Sequence, residues 1–162
     1  MSDIARTVKE LEIVLARVDE RLIHGQVING WLTKVKPTHI LIVDDELPQD
    51  ELMSNMYKAL SPRWLDVEIF STEAAVKYLA DHMREDWRIL LMAKTPCTFE
   101  KLVRLGCKFE EIVIADKRYL PNKKNISIEC KRSINFLLDQ KIHLTVQEFP
   151  EDTPYKISFY AL

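Results

Sequence analysis

The stretch HILIVDD (39–45) decides the fold prediction, because an uninterrupted apolar run is followed at once by two acidic residues. A short run of this kind is typical of a strand that is buried on both faces, as in a parallel sheet covered by helices. Comparable runs are predicted as further strands: EIVLARV (12–18), DVEIF (66–70), RILLMA (88–93), EIVIA (111–115), NISIE (125–129) as a short sixth, and IHLTVQEF (142–149).

Amphipathic segments separate these strands and predict helices: GQVINGWLTKV (25–35), PQDELMSNMYKALS (48–61), STEAAVKYLADHM (71–83), CTFEKLVRLG (97–106) and CKRSINFLLDQ (130–140). Ser71 or Thr72 is a candidate N-cap, and Gly106 is a candidate stop at the end of a helix. Strands that alternate with helices of this length favour βαβ units. The sequence therefore predicts an α/β fold with a mostly parallel sheet covered on both faces.

Composition excludes several classes of function. A chain of 162 residues that is 47% apolar and 30% charged is typical of one globular domain. A net charge of -2 argues against a nucleic-acid partner. No apolar run approaches the roughly 20 residues of a membrane helix. Three separated cysteines without a C-x-x-C pair predict reduced thiols, small buried side chains and a cytoplasmic protein.

The chemistry is expected after the first predicted strand, because ligands of open α/β sheets bind beyond the carboxyl ends of the strands. The sequence there is DERLIHGQ (19–26). Arg17, Asp19 and Arg21 are spaced by two, so in an extended chain all three point to one side. His24 follows them. An unprotonated imidazole nitrogen can attack phosphorus at neutral pH, and two guanidiniums can hold phosphate oxygens.

Gly25 and Gln26 open the following predicted helix and complete this candidate phosphate site. Gly25 lets the backbone approach a ligand closely, and the free N–H groups of a helix start favour an anion. Asp19 either orients an arginine or fixes the histidine tautomer, and the residues alone leave both roles open. A surface salt bridge is the non-functional alternative for the whole set.

Other motifs point to no metal and no cofactor. The remaining histidines have no metal-ligand spacing and are expected to be structural or exposed: His39, His82 and His143. The chain contains three glycines in all, which is too few for a glycine-rich nucleotide-binding loop. The polar stretch KRYLPNKKN (117–125) is either a solvated loop or a functional segment.

The string RVDERLIHGQV (17–27), with Trp31 after it, resembles the active-site signature of one bacterial family. This is the enzyme IIB subunit of the mannose/fructose/sorbose family of the phosphoenolpyruvate-dependent sugar phosphotransferase system. The resemblance continues through LIVDDELPQDE (41–51), LMAKTP (91–96) and VQEFPEDTP (146–154). It covers residues 12–157 of a single IIB domain, 1–162, and leaves residues 1–11 as an N-terminal extension.

The resemblance implies a fold and a role. The fold would be a three-layer α/β/α sandwich around a mainly parallel sheet of about six or seven strands. His24 would accept a phosphoryl group on Nδ1 from enzyme IIA and pass it to a sugar held by the membrane subunits IIC and IID. Arg21 matches the phosphate-stabilising arginine, and Arg17 and Asp19 match neighbouring motif positions. The protein would be cytoplasmic and peripheral to the membrane, and it would need no cofactor.

The chain departs from the family at one turn. The family usually has Asn-x-Gly-Gly after the fifth strand, whereas this chain has Ala115, Asp116 and Lys117 near that position. Lys117 and Arg118 are therefore candidates for binding phosphate or a partner. Two alternatives remain open at this point: a non-catalytic relative that acts as a regulatory or binding module, and an unrelated α/β enzyme that binds phosphate esters.

Overall fold

The computed structural model describes residues 11–25, 27–121, 123 and 125–162. One seven-stranded sheet forms its centre, in the order β3-β2-β4-β1-β5-β6-β7. The first six strands are parallel, and β7 runs antiparallel to β6. The strands are β1 (Glu12–Val18), β2 (His39–Val43), β3 (Asp66–Phe70), β4 (Arg88–Ala93), β5 (Glu111–Ile114), β6 (His143–Val146) and β7 (Tyr155–Ile157).

Five α-helices cover the sheet: α1 (Leu32–Val35), α2 (Glu51–Leu60), α3 (Thr72–Asp81), α4 (Pro96–Arg104) and α5 (Ile128–Asp139). One apolar cluster joins one face of the sheet to residues of α3, α4 and α5. A second cluster joins the other face to residues of α1 and α2. The α/β fold, its three layers and the parallel sheet are as predicted from the sequence.

Local sequence signals explain most helix ends. The Ser71 hydroxyl accepts from the backbone N–H of Ala74 and caps α3. Gly106 follows α4 with a φ of 102°, a left-handed conformation that favours glycine. The segment predicted as a helix over 25–35 is helical at all its described residues, but it is irregular: after the helical Gly25, Val27–Trp31 forms one wide π-helical turn that is followed by the single turn of α1.

The predicted strand at 125–129 is wrong. Ser127 accepts a hydrogen bond from the backbone N–H of Cys130, 3.1 Å away, and caps the start of α5 there. The β-branched residues of NISIE suggested a strand, but the capping serine decides for a helix. The antiparallel edge strand β7 was not predicted, because its three residues are too few to show a strand pattern in the sequence.

The position of β1 sets the position of the site. It pairs with β4 along its length but with β5 only at its carboxyl end, through Arg17 and Val18. The following loop is fixed on both sides: the Asp19 N–H donates to the carbonyl of Ala93, and the Ala115 N–H donates to the carbonyl of Val18. The segment after β1 therefore starts from the middle of the sheet.

Within the described ranges, every helix is too short or too polar to cross a bilayer. Most of the predicted N-terminal extension, residues 1–10, lies outside the part that the structure describes.

Candidate active site

A tight turn after β1 presents His24. The Leu22 N–H donates to the carbonyl of Asp19 at 3.0 Å, and Leu22 adopts a left-handed φ of 55°. Such a backbone costs a leucine about 1–2 kcal/mol. Burial of Leu22 and Ile23 in the apolar cluster on the α1–α2 side offsets this cost. The two apolar side chains thereby anchor the turn, while the His24 side chain keeps 18% exposure.

Asp19 is the centre of the site, and its carboxylate is almost fully buried. Its Oδ2 lies 2.8 Å from Nε2 of His24. Its Oδ1 accepts from the backbone N–H and the Nε of Arg21, at 3.1 and 3.3 Å. A terminal nitrogen of Arg17 lies 3.6 Å from Oδ2. The structure thus brings together the three residues spaced by two and joins them to the histidine.

The protonation of Asp19 follows from these contacts. Burial on its own would raise the pKa of Asp19, but the hydrogen bonds from His24 and Arg21 outweigh it and hold the pKa below its usual value. The carboxylate is therefore ionised at neutral pH and accepts hydrogen bonds only. In the neutral ring of His24, the proton then belongs on Nε2, and Nδ1 carries the lone pair.

Arg17 is wholly buried, at 0% exposure, so it does not face solvent as expected for a second phosphate-binding guanidinium. Its two terminal nitrogens donate to the carbonyls of Gln147 and Glu148, at 3.1 and 2.8 Å, and its guanidinium lies 4.9 Å from the ring centre of Trp31. Burial lowers the pKa of Arg17 to about 10, against the opposing effect of Asp19, so the guanidinium stays charged at neutral pH. The Arg17 side chain therefore links Asp19 to the segment after β6 on the buried side of the site.

The segment after β6 belongs to the site, although the sequence analysis did not include it. The carbonyl of Glu148 accepts from Arg17 and also from Trp31 Nε1, at 2.9 Å. Glu148 is more than 100 positions away from both Arg17 and Trp31 in the chain, so no local motif connects it with them. The strand-end rule would have found Glu148 only if the strand had been ended at Val146, as in the structure, because the sequence analysis extended it to residue 149.

The turn after β5 closes one side of an open pocket of about 310 Å³ beside Asp19. Asp116 accepts from the backbone N–H of Arg118 and caps one 3₁₀ turn, Lys117–Tyr119. Arg118 also bonds the carboxylates of Asp116 and Glu20, each at 2.6 Å, while Lys117 Nζ lies 3.9 Å from Glu148. The cations that replace the glycine turn are thus paired with carboxylates at the rim.

Of the two residues predicted to follow the histidine in the site, the structure describes Gly25. Gly25 is exposed, and a Cβ built there would meet nothing within 4 Å, so the space beside its backbone is open. Gln26 lies outside the described residues.

The acidic residues after β2 are two strands away from the site. There Asp44 pairs with Lys94, and Asp45 pairs with Lys101.

The histidines expected to be structural differ from His24 in their surroundings. His39 and His82 both stack on Trp87, with ring centres 4.0 and 4.5 Å apart, near the amino ends of the strands. His143 opens β6 as an exposed residue.

Comparisons with known proteins point to one group. Residues 13–158 match the family described as the PTS system sorbose subfamily IIB component. The chain is 22% identical over 148 residues to the PTS system fructose-specific EIIB component of Bacillus subtilis, covering 88% of this chain and 91% of that protein. It is 31% identical over 116 residues to the N-acetylgalactosamine-specific phosphotransferase enzyme IIB component 2 of Escherichia coli, covering 71% and 73%.

Among solved structures, the chain is similar to the IIBSor domain of the sorbose permease from Klebsiella pneumoniae. The TM-score is 0.82 at 24% identity, and the match covers 91% of this chain and 94% of that one. At this identity the likeness concerns the fold.

Proposed function

Since the chain belongs to the sorbose subfamily of IIB components of the bacterial sugar phosphotransferase system, we propose that it carries a phosphoryl group on Nδ1 of His24. In this proposal the chain is a protein-histidine phosphotransferase. It takes the phosphoryl group from enzyme IIA and gives it to a sugar that is entering through the membrane subunits IIC and IID. It acts in the cytoplasm, at the membrane face of that complex.

The contact between Asp19 and His24 carries the proposal. An ionised carboxylate 2.8 Å from Nε2 keeps the proton on that nitrogen and directs the Nδ1 lone pair away from Asp19. Nδ1 attacks the phosphorus of the donor phosphohistidine, so one N–P bond forms as the donor N–P bond breaks. In the second transfer the sugar hydroxyl attacks phosphorus, the bond to Nδ1 breaks, and the hydroxyl proton leaves to solvent.

Arg21 is the proposed phosphate-binding cation. It is 47% exposed, and its Nε contacts the same carboxylate that holds His24, so the guanidinium and the imidazole are fixed relative to each other. A planar fork of N–H donors suits the oxygens of a phosphoryl group. Gly25 leaves open space for that group. A contact from Gln26 rests on the resemblance alone.

Arg17 has a different role in this proposal. Because its guanidinium is buried and bound to two backbone carbonyls, it supports Asp19 and the loop after β6. It is therefore a positioning residue, and its charge helps to keep Asp19 ionised.

Lys117 and Arg118 are proposed as part of the surface that meets enzyme IIA. Both side chains are at least half exposed beside the pocket. Of their partners, Glu20 is exposed and Glu148 is partly exposed, so a docking protein can exchange these ion pairs for its own. Charged rims of this kind mainly affect the rate of association and its salt dependence.

A regulatory or binding module remains the second candidate function. The observation that favours it is the turn after β5, where Asp116 and Lys117 stand near the position of the family's glycines and Arg118 is paired with Asp116. Phosphorylation of His24 without onward transfer to any sugar would support this alternative.

Phosphorylation with phosphoenolpyruvate and the upstream proteins tests the proposal directly. The chain should gain one acid-labile, base-stable phosphoryl group, and His24→Gln should abolish it. His143→Gln is the matched control, since that histidine is exposed and distant from the site, and it should label like the parent chain. Full labelling of the His24→Gln variant would exclude His24 as the acceptor.

A further inference from the structure

Two cysteines that are 33 positions apart in the sequence lie side by side in the fold. Cys97 is in the first turn of α4 and Cys130 is in the first turn of α5. Their Sγ atoms are 3.9 Å apart, both thiols are free, and both residues are partly exposed. The sequence predicted separate, buried thiols, because nothing in their spacing connects them. That prediction is wrong for this pair, which is adjacent and partly exposed.

The packing of α4 against α5 holds the two sulfurs together. One turn further along, the Ser133 hydroxyl donates to Glu100 at 2.5 Å. Another turn along, the Arg104 guanidinium lies 4.2 Å from the ring centre of Phe136. The two helices therefore contact each other turn by turn, and the pair of thiols is the first of these contacts.

The surroundings of Cys130 favour its thiolate. Its sulfur accepts from the hydroxyl of Tyr119 at 3.7 Å and lies 3.9 Å from the Cys97 sulfur, a contact in which either thiol can donate. It also lies in the first turn of α5, where the N–H groups stabilise negative charge. Donation from Cys97, against the opposing effect of burial, lowers the pKa of Cys130, and the same contact raises the pKa of Cys97.

We propose that Cys97 and Cys130 form a dithiol site that hydroperoxides oxidise to a reversible disulfide between α4 and α5. The Cys130 thiolate attacks a peroxide oxygen, the O–O bond breaks, and a sulfenic acid and hydroxide result. The Cys97 sulfur then attacks the sulfenic sulfur, the S–O bond breaks, and the oxygen leaves as water. The peroxide takes up the two electrons and the two thiol protons, and hydrogen peroxide yields two molecules of water.

The two sulfurs are already adjacent. To form the bond they must approach from 3.9 Å to about 2.0 Å, and both side chains are partly exposed. Cys107 offers an internal comparison. It follows α4 as a half-buried thiol, and burial raises its pKa, so its reaction with peroxide should be slower.

The disulfide would form one hydrogen bond away from the candidate active site. Tyr119 ends the 3₁₀ turn that carries Lys117 and Arg118, and its hydroxyl donates to the sulfur that is oxidised. An effect of the disulfide on phosphoryl transfer would rest on the proposed function. The formation of the disulfide does not depend on that function, and its test uses no transfer reaction.

Peptide mapping of the oxidised full-length chain tests the proposal. After hydrogen peroxide at neutral pH, the wild-type chain should lose two hydrogen atoms and two titratable thiols. It should yield one peptide pair joined through Cys97 and Cys130, which dithiothreitol separates. A wild-type chain that keeps three titratable thiols, or links only to a second chain, would overturn the proposal. So would a Cys107 that oxidises as fast as Cys130.

Two variants separate the steps. Cys107→Ser should form the same internal disulfide, because it keeps both members of the pair. Cys97→Ser removes the second thiol and should leave a sulfenic acid on Cys130 that dimedone captures. Peptide mapping of the wild-type chain gives a result on its own, even if a variant unfolds at a lower temperature. Capture of dimedone on Cys107 alone would contradict the assignment of Cys130 as the first thiol to react.

Discussion

Nε2 of His24 lies 2.8 Å from Oδ2 of Asp19, and that carboxylate also binds Arg21 and lies close to Arg17. The contact assigns a proton to one nitrogen of the imidazole and leaves the other nitrogen as the nucleophile. It also explains why a buried acid stands among three basic side chains. The proposed chemistry therefore depends on Asp19 almost as much as on His24.

Asp19→Asn should slow the phosphorylation of His24 by about 10–100-fold, by analogy with the loss of a carboxylate that orients a metal-bound histidine. The amide keeps the shape of the side chain but no longer requires a proton on Nε2. The measurement is the initial rate of labelling at saturating donor. Asp66→Asn is the matched control, because Asp66 pairs with His39 in an exposed position. Equal rates for both variants would contradict the assigned role of Asp19.

Acid should weaken the contribution of Asp19 to stability. Its pKa in the folded chain lies below the ordinary value of 3.8, so this contribution is complete above that value and is lost as the pH falls through the folded pKa. Urea denaturation of the parent and of Asp19→Asn should give a constant difference in the free energy of unfolding near neutral pH. That difference should shrink below pH 3.8. A difference that grows on acidification would have the wrong sign.

The two arginines should separate stability from transfer. Arg17→Lys should lower the free energy of unfolding by about 1–3 kcal/mol, because an ammonium cannot bind both carbonyls and stack on Trp31. Arg21→Lys should change stability by less than about 0.5 kcal/mol, since Arg21 is at the surface, but it should slow labelling. Chemical denaturation and labelling rates measure the two effects. A stability loss confined to Arg21→Lys would reverse the roles assigned here.

Two glycines give a similar pair of variants. Gly25→Ala should leave stability within about 0.5 kcal/mol of the parent, because its Cβ would meet nothing within 4 Å, yet the methyl group should hinder the incoming phosphoryl group. Gly106→Ala should destabilise the fold by about 1–2 kcal/mol through its left-handed backbone, with little effect on labelling. Thermal melts and labelling rates separate these outcomes. Normal labelling of Gly25→Ala would argue against a close approach at that backbone.

Charge reversal at the turn after β5 should weaken docking of enzyme IIA. The double variant Lys117→Glu and Arg118→Glu should slow labelling at low salt, and it should reduce the dependence of the rate on ionic strength. Lys77→Glu with Arg84→Glu makes the same change in net charge on exposed residues of α3 and of the turn after it. If both double variants behave alike, the turn at 117–119 has no special part in docking.

The sequence predicted the parallel sheet and four of the strands to within one residue: 12–18, 66–70, 88–93 and 111–115. Continuous apolar runs are strong local signals, because burial on both faces leaves no polar positions. The segment NISIE failed because one serine side chain bonded to the backbone outweighed its β-branched residues. The family resemblance carried by RVDERLIHGQV is confirmed by the match over residues 13–158.

The sequence by itself predicted the α/β class through its periodicity, and it grouped Arg17, Asp19, Arg21 and His24 through their short spacing. The family was identified through the resemblance of RVDERLIHGQV to a known signature. Only the tertiary structure decided that Arg17 is buried against the carbonyl of Glu148, that Arg118 is paired at the rim, and that Cys97 meets Cys130. These contacts join segments that the parallel crossovers separate by about 30 to 130 positions. Their formation depends on strand order and helix packing, which local residue patterns do not encode.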